Sequence, residues 1–144
     1  MITKYGLSTF LFCAGFSFVL ILISLFIQNG WIRYPLIVFS IAFLLFSLNF
    51  FRDPERTPPN RKNVVVSPAD GKVILIQDIF EKECLNAKAI KLSIFLSLID
   101  VHINRIPCSG EIVNVNRKSG NFLAAFKDEA SIENECISIC ISHH

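Results

Sequence analysis

The sequence predicts an N-terminal two-helix transmembrane hairpin followed by an incomplete, mostly-β domain with barrel-sandwich-like strands. The hairpin is predicted because 52% of the 144 residues are hydrophobic, which is above the average for soluble domains, and because the long apolar segments all lie before residue 52. The β domain is predicted because short segments rich in valine and isoleucine follow, separated by turn residues.

Two uninterrupted apolar segments form the predicted hairpin over residues 1–51. No charged side chain occurs in Leu7–Ile27 or in Tyr34–Phe51, and a helix needs ~20 apolar residues to cross a bilayer core. A cleavable signal peptide is the alternative for the first segment, because Lys4 precedes it. We favour a retained hairpin, since a usual signal-peptide core has only ~7–15 apolar residues and since a second span follows at once.

Basic residues flank the two spans unevenly. Lys4 precedes the first span, and Arg33 stands alone in the predicted connecting turn. Four basic residues follow the second span, namely Arg52, Arg56, Arg61 and Lys62. The positive-inside rule then places both ends in the cytoplasm. We expect the protein in the cell (inner) membrane, with its β domain facing the cytoplasm and its basic residues near anionic phospholipid.

Charge and cysteine content argue against two kinds of site. The net charge of +2 is too small to indicate nucleic-acid binding, so no nucleic-acid partner is expected. The five cysteines include no CxxC pair, and a cytoplasmic domain would keep them reduced. We therefore predict no metal site. Metal ligation by Cys136 and Cys140 is a weaker alternative to buried thiols, and a metal-binding His143-His144 pair is a weaker alternative to an interrupted reading frame.

A linker rich in proline and arginine, residues 52–63, separates the hairpin from a partial β domain at residues 64–144. The three linker prolines cannot continue a helix. Strands are predicted at Asn63–Val66, Gly71–Phe80, Ala89–Leu98, Gly110–Val115 and Cys136–Ser142. The last of these alternates with period two, as a half-buried strand does. One helical turn is predicted between Asp128 and Asn134.

The β domain is expected to be incomplete. About 80 residues follow the linker, which is a marginal size for an independent core. The last predicted strand ends close to the final residue, with no partner strand after it. We therefore expect a chain cut within a domain, which associates through its strand edge.

Three polar clusters contain residue types that carry chemistry: Ser67–Lys72, Asp100–Pro107, and Lys127–Ser131 with Asn134-Glu135. Each also has an ordinary structural interpretation. An aspartate before a glycine, as at Asp70, is typical of a β-turn. His102 alone would suit a half-buried structural histidine, and Arg105 a solvated surface.

Taken together and in order, the motifs of this chain resemble the short form of the phosphatidylserine decarboxylase family. The resemblance covers nearly the whole chain, including both apolar spans. The motifs that carry it are Phe50-Phe51-Arg52-Asp53-Pro54-Glu55-Arg56, Ser67-Pro68-Ala69-Asp70-Gly71, Ser93-Ile94-Phe95-Leu96, Val101-His102-Ile103-Asn104-Arg105-Ile106-Pro107, Gly120-Asn121-Phe122, Ala130-Ser131 and Asn134-Glu135. An ordered set of this kind is far more specific than any single tripeptide.

The resemblance implies a self-processing enzyme that makes phosphatidylethanolamine. In that family a serine in a downstream Gly-Ser motif attacks the preceding carbonyl, and cleavage leaves a covalently bound pyruvoyl group. This group forms a Schiff base with phosphatidylserine and acts as an electron sink while carbon dioxide leaves. His102 is the candidate for proton transfer, with Asp70 as the carboxylate that orients it. Lys72 and Arg105 are the candidates for binding the phosphodiester.

Two departures from the family pattern qualify these expectations. Arg105 stands where longer members carry a second histidine, so the resemblance leaves open whether His102 serves cleavage, decarboxylation or both. No Gly-Ser dipeptide occurs, because Ser109-Gly110 and Ser119-Gly120 run in the opposite order. We expect that no pyruvoyl group can form from this chain, that it is inactive alone, and that a C-terminal pyruvoyl-bearing chain is a candidate partner. The alternative is a membrane-tethered, non-catalytic β module that binds a partner or a lipid headgroup.

Overall fold

A computed structural model describes residues 1–61, 64–125 and 129–143. The chain divides into two units. The hairpin unit comprises Met1–Pro59, Ala69–Gly71 and Leu96–Asn104. The sheet unit comprises Asn60–Pro68, Lys72–Phe95 and Arg105–His144.

The hairpin unit contains the helices α1 (Leu7–Phe26) and α2 (Gly30–Phe50). Both are long and apolar enough to cross a membrane. Their buried side chains are serines spaced seven residues apart: Ser17, Ser24, Ser40 and Ser47. Each serine hydroxyl donates to a carbonyl of its own helix, at 2.6 to 3.0 Å. Small residues of this kind let two apolar helices approach closely.

The ends of α2 are set by local hydrogen bonds. The helix begins at Gly30 because the Asn29 side chain accepts a hydrogen bond from the Trp31 N–H at 3.0 Å, as an N-cap residue does. Arg33, predicted in the turn, therefore lies in α2. At the other end, the Phe51 carbonyl accepts from the Thr3 N–H at 2.9 Å, and Ile2 bridges to Arg52. The N-terminal residues are thus fastened to the end of α2.

The sheet unit contains two antiparallel two-stranded sheets. One pairs β1 (Lys72–Glu81) with β2 (Ala87–Phe95), and the other pairs β3 (Glu111–Lys118) with β4 (Cys136–Ser142). The predicted fold class, a helical hairpin followed by β strands, is confirmed. Large apolar side chains on both sheets stay exposed, so the described strands do not enclose a core between them.

The β1–β2 turn is closed by one carboxylate. Glu81 accepts hydrogen bonds from the N–H groups of Leu85, Glu83 and Cys84, at 2.6, 2.7 and 2.9 Å. These bonds lower the pKa of the Glu81 carboxyl, with Leu85 contributing most. Asn86 completes the turn with a φ of 48°, a left-handed conformation that asparagine tolerates.

Two predicted elements differ in the structure. The strand predicted at Asn63–Val66 is not formed in its described part, residues 64–66. Isolated backbone bonds replace a ladder there, from Val66 to Pro107 at 2.9 Å and from Arg105 to Pro68 at 2.8 Å. The helical turn is confined to α3 (Ala130–Glu133), and Asp128 lies outside the described residues.

The loop before β4 brings the motifs Gly120-Asn121-Phe122 and Asn134-Glu135 together. Asn134 donates to the Leu123 carbonyl at 2.8 Å and accepts from the Leu123 N–H at 2.7 Å. The Asn121 N–H donates to the Glu133 carbonyl at 2.8 Å. A Cβ atom at Gly120 would collide with that carbonyl, so the close approach requires glycine at this position.

One pair of cysteines behaves differently from the prediction. The structure joins Cys84 and Cys140 in a disulfide, and Cys136 is exposed. The structure thus departs from the expectation of a buried thiol at Cys136 and of free thiols at Cys84 and Cys140. The physical reason is proximity, since the Cα atoms of Cys84 and Cys140 are 6.4 Å apart, which a disulfide spans.

Candidate functional site

A tight turn precedes His102 in the hairpin unit. The Asp100 N–H donates to the Ser97 carbonyl at 2.9 Å. In return, the Asp100 carboxylate accepts from the Ser97 hydroxyl at 2.7 Å and from the Ser97 N–H at 2.8 Å. The hydroxyl contributes most to lowering the pKa of the Asp100 carboxyl, followed by the N–H, with smaller contributions from the charges of His102 and Arg52. Asp100 is therefore ionised at neutral pH and holds the turn closed.

The His102 ring is held at one edge and on one face. Its Nδ1 atom lies 3.0 Å from the Asp100 carbonyl oxygen. A carbonyl only accepts hydrogen bonds, so this contact favours the tautomer with the proton on Nδ1 and the lone pair on Nε2. The ring also stacks on Phe50, with centroids 4.3 Å apart and planes 27° apart. The adjacent Val101 is buried, which fixes the backbone beside the ring.

Side chains at the end of α2 donate hydrogen bonds to the backbone of the same loop. Asn49 and Arg52 donate to the Ile99 carbonyl at 3.3 and 2.9 Å. Arg52 also donates to the Asn49 carbonyl at 2.9 Å and to the Asn49 side-chain oxygen. An arginine is well suited to this place, because the last carbonyls of a helix have no partner within the helix.

A cavity of about 360 Å³ opens beside His102 within the hairpin unit. It is lined by Thr3, Tyr5, Gly6, Phe50, Phe51, His102, Ile103 and Asn104. The volume falls in the range of small-molecule sites, which are mostly apolar with a few polar groups. His102 supplies a group capable of proton transfer at the wall of this cavity.

Asp70 forms a forked ion pair with Arg56. The Arg56 Nη2 lies 2.7 Å from Oδ2, and its Nε lies 3.1 Å from the same oxygen. The hydrogen bond, and then the charge of Asp70, raise the pKa of Arg56. Arg56 is a partner of Asp70 that the sequence analysis did not identify. The predicted contact between Asp70 and His102 stays a prediction.

Lys72 and Arg105, the predicted phosphate-binding residues, lie in the sheet unit. Lys72 opens β1 opposite Phe95 and is exposed, while Arg105 is half-buried. Their role in binding phosphate stays a prediction. Within the described residues, no group of three His, Cys, Asp or Glu side chains is placed to hold a metal ion.

Comparison with known proteins decides the family. The family model for phosphatidylserine decarboxylase matches residues 43–144. The chain belongs to this family. It is similar to three relatives named phosphatidylserine decarboxylase proenzyme. The relative from Chlorobium chlorochromatii is 42% identical, with 99% of this chain and 66% of the relative covered. The relative from Syntrophus aciditrophicus is 38% identical, with 90% of this chain and 59% of the relative covered. The relative from Porphyromonas gingivalis is also 38% identical, with 81% of this chain and 53% of the relative covered.

Membership in the phosphatidylserine decarboxylase family confirms the resemblance carried by the motifs. The family match begins within α2 and includes the helix end, the Arg56–Asp70 pair and the His102 loop. The chain spans about half to two thirds of the length of these relatives. No solved structure matches the chain.

The sequence analysis missed the residues that hold His102 in place. Asp100 stood in the polar cluster Asp100–Pro107 and Phe50 in one of the quoted motifs, but neither was assigned to the site. A usable signal was present for Asp100, because a serine three residues before an aspartate is typical of a side-chain-closed turn. For Phe50 there was no local signal, since its contact with His102 joins distant parts of the sequence.

Proposed function

We propose that this chain carries the proton-transfer part of a phosphatidylserine decarboxylase. The observation that carries the proposal is the His102 ring, held by the Asp100 carbonyl and by Phe50 at the wall of a cavity. The names of the relatives, which are proenzymes, support a self-processing enzyme of the pyruvoyl type. A pyruvoyl group supplies a carbonyl that draws electrons from the substrate as carbon dioxide leaves.

The residues present fit this chemistry. The Nδ1–H group of His102 donates a hydrogen bond to the Asp100 carbonyl. The Nε2 atom therefore has the lone pair needed to take a proton from a serine hydroxyl during self-cleavage. The same nitrogen, once protonated, can return a proton to the carbon that loses carbon dioxide. The ion pair with Arg56, at 2.7 Å, orients the Asp70 carboxylate.

Phosphatidylserine is the proposed substrate, with Lys72 and Arg105 binding its phosphodiester. The 144 residues contain no Gly-Ser dipeptide, so the proposal assigns the pyruvoyl-forming serine to residues outside this sequence. These 144 residues alone are therefore expected to be inactive. The non-catalytic alternative is not favoured, because the family match extends across the His102 loop.

The hairpin is proposed to span the inner membrane with both ends in the cytoplasm. The bridge between Ile2 and Arg52 places Lys4 at the same end of the hairpin as the basic residues after α2, which agrees with the positive-inside rule. In single-cysteine variants of intact cells, a membrane-impermeant reagent should label Asn29→Cys and leave Cys108 unlabelled. Labelling of Cys108 from outside would contradict this topology. In the cytoplasm the Cys84–Cys140 bridge is expected to be reduced.

The test of function is a fusion in which the Gly-Ser segment of a relative follows Ser142. The fusion should cleave itself, seen as two fragments on electrophoresis, and should release labelled carbon dioxide from phosphatidylserine. His102→Ala should lower both rates by several powers of ten and Asp70→Asn by no more than that, because removing a base costs at least as much as misdirecting it. Asp78→Asn, an exposed carboxylate in β1, is the matched control.

Three results would contradict the proposal. Normal cleavage and turnover in both the His102→Ala and the Asp70→Asn fusions would show that these residues do not carry the reaction. Release of carbon dioxide by the unfused 144 residues would show that the serine of a Gly-Ser motif is not needed. Binding of phosphatidylserine vesicles by a fusion that never cleaves would favour the non-catalytic module instead.

A further inference from the structure

Phe50, the last residue of α2, lies face to face with His102. The ring centroids are 4.3 Å apart, which is the distance of direct stacking. Both side chains are partly buried, and both line the same cavity. The contact therefore joins a helix proposed to span the membrane to the residue proposed to transfer protons.

The Phe50 ring is itself fixed by neighbours within the hairpin unit. It packs edge to face on Phe51, with centroids 5.1 Å apart, and at a tilt on Phe46 at 5.9 Å. Phe51 in turn packs edge to face on Phe10 of α1 at 6.3 Å. Phe50 thus lies at one end of an aromatic cluster that both helices support.

The loop that carries His102 is also attached to α2 through its backbone. Asn49 and Arg52 both donate to the Ile99 carbonyl. These bonds hold the loop backbone, three residues before His102, against the end of α2. The Asp100 carbonyl fixes the Nδ1 edge of the ring. A single hydrogen bond leaves the ring free to rotate about the axis of that bond, and an aromatic surface removes this freedom by setting the plane of the ring.

We propose that Phe50 is a positioning residue for His102, so that the last turn of α2 sets the direction in which Nε2 points. The catalytic part of this inference rests on the function proposed above. Leucine at position 50 would fill a similar volume without offering a flat surface. Tryptophan would keep the flat surface and should restore the orientation.

The first measurement is independent of activity and uses the 144-residue chain in detergent micelles. The ring signals of His102 are assigned in proton–carbon spectra by their loss in His102→Gln. Protons above an aromatic face are shifted upfield, so Phe50→Leu should move the His102 ring signals downfield and Phe50→Trp should keep them upfield. Phe39→Leu is the matched control, because Phe39 lies in the same helix and stacks on Phe43. Unchanged His102 signals in Phe50→Leu would overturn the proposal.

The second measurement uses the Gly-Ser fusion. Phe50→Leu should lower kcat for carbon dioxide release by ten- to about a hundredfold with little change in KM, as misplacement of a catalytic group by ~1 Å can do. Phe50→Trp should recover most of the rate. A Phe50→Leu rate equal to that of Phe39→Leu would refute the positioning role. If the unsubstituted fusion releases no carbon dioxide, the proposed function fails, and the spectra alone decide whether Phe50 orients His102.

Discussion

The hairpin unit and the sheet unit both expose many large apolar side chains, but in different settings. In the two helices of the hairpin unit the buried positions are serines, while phenylalanines such as Phe18, which is 61% exposed, face outward. This arrangement suits lipid, where apolar side chains need no shielding and small residues allow helices to pack. In the sheet unit, Ile76 and Ile90 are 65% and 72% exposed on two-stranded sheets, where water would surround them. Exposure of apolar side chains alone therefore does not identify a membrane-facing surface.

The two units also differ in how their polar groups are arranged. In the hairpin unit, three contacts converge on the His102 loop, from Asn49, Phe50 and Arg52. In the sheet unit, the polar contacts mostly close turns and loops, as those of Glu81 and Asn134 do. Of the predicted site residues, Asp70 and His102 lie in the hairpin unit, and Lys72 and Arg105 lie in the sheet unit.

The largest expected effect concerns the sheet unit without the hairpin. Residues 60–144 expressed alone should aggregate or remain loosely folded, because two-stranded sheets with exposed apolar faces and edges are marginally stable. Analytical ultracentrifugation, thermal melting and amide spectra would measure this. A monomer with dispersed amide signals and a cooperative melt would show that the exposed faces need no partner.

The next largest effect is expected from arginine substitutions that test which exposed surface faces lipid. Phe18→Arg places a charge near the middle of α1, which costs about 2.5–3.5 kcal/mol on insertion scales. We expect this variant to be lost from the membrane fraction after alkaline carbonate extraction. Ile76→Arg, at an equally exposed position in β1, should stay in the membrane fraction at the level of the unsubstituted chain. Equal loss of both variants would remove the distinction between the two surfaces.

A smaller effect is expected inside the hairpin. Ser40→Leu should destabilise the packing of α1 on α2 by about 1–3 kcal/mol, because overpacking forces side chains and backbone apart. Ser40→Ala should change little, since the hydroxyl bonds to the Leu36 carbonyl of its own helix. Thermal unfolding in detergent, followed by circular dichroism, compares the two. A large loss of stability in Ser40→Ala would mean that the hydroxyl itself holds the helices together.

The smallest effect is a pH dependence shared by both units. The pKa values of Asp100 and Glu81 are lowered in the folded chain. Their stabilising bonds are therefore fully present above the ordinary carboxyl pKa of about 4 and are lost as the pH falls through the lower folded values. The amide signals of Ser97 and Leu85 should stay constant from pH 7 to about pH 5 and move only in stronger acid.

A matched variant separates the two turns in that titration. Asp100→Asn should abolish the acid shift at Ser97 and preserve the shift at Leu85, since Glu81 closes the second turn independently. Movement of the Ser97 signal between pH 5 and pH 7 in the unsubstituted chain would contradict the lowered pKa of Asp100.

Much of the chain was predictable from its sequence because the relevant forces act locally. Two charge-free apolar segments can form only long apolar helices, and the alternation of Cys136–Ser142 predicted a strand that the structure confirms. The ordered motifs were enough to predict the family. The strand predicted at Asn63–Val66 failed because β-branched composition alone supplies no partner, and residues 64–66 have no ladder.

Only the tertiary structure decided which distant residues meet. The sequence placed Asp70 and His102 in motifs, but the pairing of Asp70 with Arg56 and the stacking of His102 on Phe50 depend on how the chain returns to the end of α2. The same holds for the disulfide between Cys84 and Cys140, which are separated by 56 residues. Periodicity and composition report on neighbours along the chain, whereas these contacts depend on the path of the backbone between two well-separated segments.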